Sequence, residues 1–123
     1  MTRDELTRWV DAYEAAWRAP GTDTLGDLFT PDATYITTPF LEPYAGLAAI
    51  EELWERERHP GEQFTMQRDI VAVEGETGVV RLEVEYTAPE HRIYRDLWIV
   101  RLDGAGRCTA FEEWPFWPGV TTS

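Results

Sequence analysis

Two acidic residues in the second half of the chain, Asp96 and Glu113, stand at spacings that could do proton chemistry. Asp96 precedes Trp98 by two residues and Glu113 follows Phe111 by two, so on extended strands each acid shares a face with a large aromatic. If Trp98 faces inward, so do Tyr94, Asp96 and Val100; if Phe111 does, so do Thr109 and Glu113. Two carboxyls in one apolar cavity repel each other and lose hydration, which raises at least one pKa toward neutrality and suits it to general acid/base work. Tyr13 and Trp17, about one helical turn apart, could bring a hydroxyl and an indole N–H to the same volume, and Tyr35 and Thr37 alternate on a candidate strand. The candidate catalytic groups are therefore Asp96, Glu113 and Tyr13. The candidate substrate-binding groups are Trp17, Tyr35, Thr37, Trp54, Trp98 and Phe111, a lining that favours a flat, ring-bearing ligand. The competing reading is plain packing for the aromatics, and for the acids pairing with an arginine such as Arg68 or a place at the wet rim.

The residue types also exclude much. The chain has no lysine and no asparagine, and its one serine is the last residue, Ser123. Schiff-base and pyridoxal-phosphate chemistry and the phosphate-loop lysine all fall away, and a serine at the chain end has no shell to hold it in a triad. His59 precedes Pro60, and His91 falls in a predicted hairpin loop; neither has a second ligand at metal-binding spacing. No metal and no cofactor is expected. Lone Cys108 has no partner for an intramolecular disulfide, and one residue into the last strand, on the face opposite Phe111, it reads as an inert thiol. Twenty-three acids against 11 basic residues give a net charge of −12, which repels nucleic acid and anionic membrane surfaces. No apolar run reaches the ~18 residues of a membrane span, and the first residues, MTRDELTRW, carry no secretory signal. The expectation is a cytoplasmic protein.

These side chains need a scaffold, and 123 residues supply one hydrophobic core, hence a single domain over residues 1–123. Thr2 to Glu5 has the form of a capping box, and Leu6, Trp9, Val10, Tyr13, Ala16 and Trp17 follow as a one-sided helical stripe that Pro20-Gly21 ends. Thr22 or Asp23 could cap a short second helix carrying Leu25, Leu28 and Phe29, stopped at Pro31-Asp32. Residues 33–37 read as a strand, and Leu47, Ile50, Leu53 and Trp54 as a third helix ending at His59-Pro60-Gly61. From Phe64 the period changes to 2, predicting an antiparallel meander over about 63–74, 78–88, 92–102 and 107–116. The class is α+β: three N-terminal helices covering one face of a cone-shaped, curved antiparallel sheet whose open end is a pocket. The aromatic string from Glu112 to Pro118 leaves the sheet as an edge or flap. Ile93, Leu97 and Ile99 alternate away from Trp98 and would leave an apolar strip in water, which predicts a homodimer through the outer face.

Several local strings resemble the nuclear transport factor 2-like superfamily, and within it the polyketide-cyclase-like (SnoaL-like) proteins. They are Leu28 to Thr34 entering the first strand, Gly46 to Ile50 opening the third helix, Tyr94 to Trp98, and Gly106-Arg107. The resemblance implies the cone fold and a small-molecule pocket, on a scaffold that hosts isomerases, dehydratases, cyclases, epoxide hydrolases and noncatalytic binders. Against the ketosteroid isomerases, Tyr13 matches the oxyanion tyrosine. Trp54 stands where a supporting tyrosine would be, Thr37 at the base and Trp98 at the protonated acid, so two of the three catalytic groups are missing. Against limonene-type epoxide hydrolases, Asp96 and Glu113 match two acids, but Tyr94 replaces the arginine and the asparagine is absent. The resemblance and the acid pair together lead to the expectation of a cofactor-independent enzyme moving protons on a small hydrophobic, oxygenated molecule, as isomerase, cyclase, dehydratase or hydrolase. The alternatives are a noncatalytic small-molecule binder and a dimeric protein-interaction domain on the same fold.

Overall fold

The computed structural model describes residues 1–119; Ser123 lies outside them. Helix α1 (Arg3–Arg18) opens with the expected capping box, the Thr2 hydroxyl accepting from Glu5 N–H and the Glu5 carboxylate accepting from Thr2 N–H. Its stripe Leu6, Trp9, Val10, Tyr13 and Ala16 is buried. Helix α2 (Leu25–Leu28) is a single turn that begins after Thr24, whose side chain makes no capping bond. It is held instead by Trp9, whose indole N–H donates to Leu28 C=O at 3.0 Å. Helix α3 (Leu47–Glu57) buries Ile50, Leu53 and Trp54.

Six strands form one curved sheet: β1 (Phe29–Ile36), β2 (Tyr44–Ala45), β3 (Gln63–Glu74), β4 (Thr77–Ala88), β5 (Arg92–Leu102) and β6 (Cys108–Phe116), in the order β2-β1-β6-β5-β4-β3. The meander β3 to β6 is antiparallel and lies within a residue of the predicted bounds. The last strand, β6, also pairs with β1, and this one ladder is parallel. Strand β1 begins at Phe29 rather than 33, because Phe29 pairs with Cys108 and the Pro31-Asp32 stretch is absorbed as a register shift before Thr34 instead of ending the segment. A second irregularity in β6 changes the expected parity. Leu102 pairs with Cys108 and Arg101 with Ala110, so Thr109 is the extra residue of a bulge and Cys108 turns into the core beside Phe111. There burial pushes the thiol up to about 12, leaving it without nucleophilic character.

The core sits between α1 and the concave sheet face. Trp9 meets Phe29 and Trp98 edge-on at ring separations of 5.7 and 6.4 Å, and Phe111 lies 5.0 Å from Trp98. Beyond Arg18 the chain turns away under the grip of Arg58, whose guanidinium donates to the carbonyls of Ala16, Ala19 and Gly21 at 3.1, 2.5 and 2.6 Å. Among the described residues no helix is long and apolar enough to cross a membrane.

One close approach tests the packing at the narrow end. Gly78 on β4 lies under the fully buried Leu6, and a methyl group there would run into Leu6 Cδ2. Gly78→Ala should therefore lose about 1–3 kcal/mol by overpacking, read as a lower urea midpoint at unchanged slope.

Candidate functional site

At the wide end of the cone, α1 runs out and a cavity of about 250 Å³ opens between α1, the end of α3 and strands β1 and β3 to β6. Tyr13 and Trp17 reach it from α1 and Tyr35 from β1. Strand β5 contributes Arg92, Tyr94, Asp96 and Trp98 at every second residue, and β6 contributes Glu113 and Pro115. Trp98 and Glu113 are register partners, which puts the two acids on neighbouring strands and one face.

Asp96 is only 5% exposed, and its Oδ1 has no hydrogen-bond partner. Burial raises its pKa, and Glu113 beside it counters part of the rise. Glu113 is pushed well above the usual carboxylate range, first by burial and then by the Asp96 carboxylate beside it. Of the two, Glu113 is raised further and keeps its proton to the higher pH. Neither acid has an arginine partner among the described residues. Arg68 lies on the other side of α1, bonded to Asp11 and Glu14.

Opposite the acids, the Tyr13 and Tyr35 hydroxyls form a buried hydrogen bond of 2.6 Å. Both phenols are raised well above their ordinary range, by burial first, then for Tyr13 by Tyr35 and for Tyr35 by the charge of Glu113. They remain neutral donors at any working pH. The indole N–H groups of Trp54 and Trp98 are buried without a hydrogen-bond partner, so this end of the molecule holds several polar atoms that the protein does not satisfy.

The remaining sequence candidates fall elsewhere. Trp54 is fully buried behind the wall, 5.0 Å from Tyr13 and 4.8 Å from Trp17 ring to ring. Phe111 is likewise fully buried, stacked under Tyr13 and Tyr35. Both support the lining without forming it. Thr37 lies beyond the end of β1 and outside the cavity, because the strand pairs only to Ile36 before the loop departs. Sequence reasoning missed Glu57, Glu62, Met66, Val84, Tyr86, Arg92 and Trp117, which complete the lining. On the same alternation Tyr86 follows Val84 on β4 and Arg92 precedes Tyr94 on β5; Glu62, in a loop, carries no such signal. His59 and His91 lie outside the cavity, and among the described residues no three metal-ligating side chains cluster.

The family model for the SnoaL-like domain matches residues 9–111. The chain belongs to that family. Among solved structures it is similar to SalBIII, an epoxide hydrolase/cyclase-like enzyme described for pyran ring formation in polyether salinomycin, at 16% identity and a TM-score of 0.74 over 94% of this chain and 95% of that one. A steroid delta-isomerase from Pseudomonas aeruginosa aligns at 18% identity and a TM-score of 0.67, over 91% and 80% of the two chains. An M. tuberculosis LEH-like epoxide hydrolase aligns at 17% and 0.68, over 92% and 84%. No curated protein sequence matches the chain. At these identities the likeness shows the fold.

The raised carboxyl has a sign that stability can check. A folded state that keeps a proton on Glu113 above about pH 4.5, where the unfolded chain has released it, loses stability as pH rises toward the folded-state pKa. Glu113→Gln removes that loss. The variant should melt at the wild-type temperature near about pH 4 and above it near about pH 8, measured by circular dichroism.

Proposed function

We propose that this chain is a cofactor-independent enzyme that moves protons by general acid/base catalysis on a small, hydrophobic, ring-bearing oxygenated molecule. The observation that supports it is the Asp96 and Glu113 pair, Asp96 buried and Glu113 half-buried beside it, without a cation in an aromatic cavity. Asp96 is the base, since it is the less raised of the two, and Glu113 is the acid, since burial and the Asp96 carboxylate raise it further. A substrate seated between them gives a proton to Asp96 and receives one at its oxygen from Glu113, with the Tyr13–Tyr35 pair offering the one phenol proton not used in the bond between them. This balance serves enolisation of a ketone, and also opening of a strained cyclic ether when a water gives its proton to Asp96 and bonds to the ring carbon as Glu113 protonates the leaving ether oxygen. The aromatic walls of Trp17, Tyr86, Tyr94 and Trp98 supply affinity through ring contacts.

The test needs no knowledge of the natural substrate. Wild-type protein in D2O should exchange the α-protons of 2-tetralone, or open styrene oxide, faster than buffer. Asp96→Asn should lower that rate by at least about 100-fold while binding of the ketone persists. Exchange that survives in Asp96→Asn removes the proposal, and binding without exchange in the wild type leaves the noncatalytic binder as the reading.

We also propose that the chain forms a homodimer through the outer sheet face. Ile93, Leu97 and Trp114 are 38%, 42% and 36% exposed, and Leu97 and Trp114 are register partners on that face. Light scattering at micromolar concentration should report twice the monomer mass; a monomer without aggregation excludes it.

A further inference from the structure

Five charged side chains line the cavity, and four of them are acids: Glu57, Glu62, Asp96 and Glu113. Arg92 is the fifth. It has the position of an anion receptor at the mouth, yet its guanidinium is committed. Nη2 donates to Glu62 Oε2 at 3.1 Å, Nη1 to the Tyr94 hydroxyl at 3.3 Å, and the group lies over the Tyr86 ring at 4.6 Å. Its Nε is buried without a partner, out of reach of solvent. Glu62 is held in turn. Its side chain is 7% exposed, and Oε1 accepts from the backbone N–H of His59 at 3.3 Å. The lining sets four acids against one arginine already paired with Glu62, and an arriving carboxylate would find no unpaired cation there.

We propose that Glu62 is a specificity-determining residue that closes this pocket to anions by occupying Arg92, so that the substrate enters as an uncharged ring compound, a ketone, cyclic ether, ester or alcohol, and not as a free acid. The inference rests on the reading of the cavity as a ring-binding site and adds the charge state of what it takes. Aromatic rings and a guanidinium already neutralised by Glu62 accept neutral rings at little electrostatic cost, whereas an anion must either displace Glu62 from Arg92 or remain unpaired.

Calorimetric titration of matched probes, methyl 2-naphthoate and 2-naphthoate, reads this directly near neutral pH. The ester should bind wild-type protein at least about 100-fold more tightly than the acid, the penalty of an unpaired buried carboxylate. Glu62→Gln should release Arg92 and raise the affinity for 2-naphthoate by about 10-fold with the ester within about twofold of wild type, and Glu62→Gln with Arg92→Gln should lose that gain. Should Glu62→Gln fail to fold, Arg92→Gln alone decides: the ester holds its affinity while the acid weakens further. Ester and acid binding within about threefold of each other in the wild type, or an unchanged ratio in Glu62→Gln, overturns the charge filter while leaving the ring site intact. Absence of binding by either probe overturns both.

Discussion

Everything in this molecule depends on how far α1 reaches into the curve of the sheet. Trp9 is the wedge: its ring packs on Phe29, Trp98 and Phe111, and its N–H is tied to Leu28 C=O. One turn later Tyr13 still packs against Trp98 and Phe111, but another turn on, Trp17 is only half-buried. The helix then stops, and the Arg58 clamp on three carbonyls carries the chain sideways. The sheet continues past that point. Rings fill the narrow end, while the wide end has a concave wall and no helix to cover it. A cavity is therefore the direct result of the length of one helix relative to the strands it packs on.

Placing two carboxyls in that hollow is an unfavourable choice for stability. An unpaired buried acid keeps its proton or costs several kcal/mol, and a pair without a cation must share one. Arginines are present nearby and each is engaged elsewhere: Arg68 with Asp11 and Glu14, Arg92 with Glu62, Arg58 with backbone carbonyls. Hydrophobic residues of similar volume would serve the core at least as well. Such a pair, beside buried phenols and unsatisfied indole N–H groups, adds nothing to folding, and the proposed function gives it a use.

The meander and α1 were legible from sequence because each carries a strong period: the alternation Val80, Leu82, Val84 in β4 and the Leu6, Trp9, Tyr13 stripe after a complete capping box. The same alternation put Asp96 beside Trp98 and Glu113 in step with Phe111, so the acid pair was accessible to simple parity. Parity failed where strands are irregular. The bulge at Thr109 turned Cys108 inward, and the register shift in β1 hid its first residues behind Pro31-Asp32. Thr37 misled because strand length is set by pairing partners, which a single sequence does not display. Trp54 and Phe111 were aimed at the right volume, but depth within a wall is a three-dimensional property: both are the second layer, with Tyr13 and Trp17 in front of them. Glu62 and Arg92 meet across 30 residues from a loop and a strand start, a contact that no local pattern announces.

The position of Arg92 bears on how the acids work. The resemblance to epoxide hydrolases would place an arginine two residues before Asp96, on the same strand face and close enough to neutralise it. Here Tyr94 occupies that place and the arginine stands two residues further out, roughly 13 Å along the strand from Asp96. An adjacent guanidinium would hold both carboxyls ionised and suit them to orient a water. At the mouth and bound by Glu62, Arg92 leaves the two acids without a cation, and burial raises both of them, Glu113 the further. The proposed acid/base roles depend on this: had the one cation of the lining stood two residues nearer Asp96, the same two carboxyls would be a pair of fixed anions.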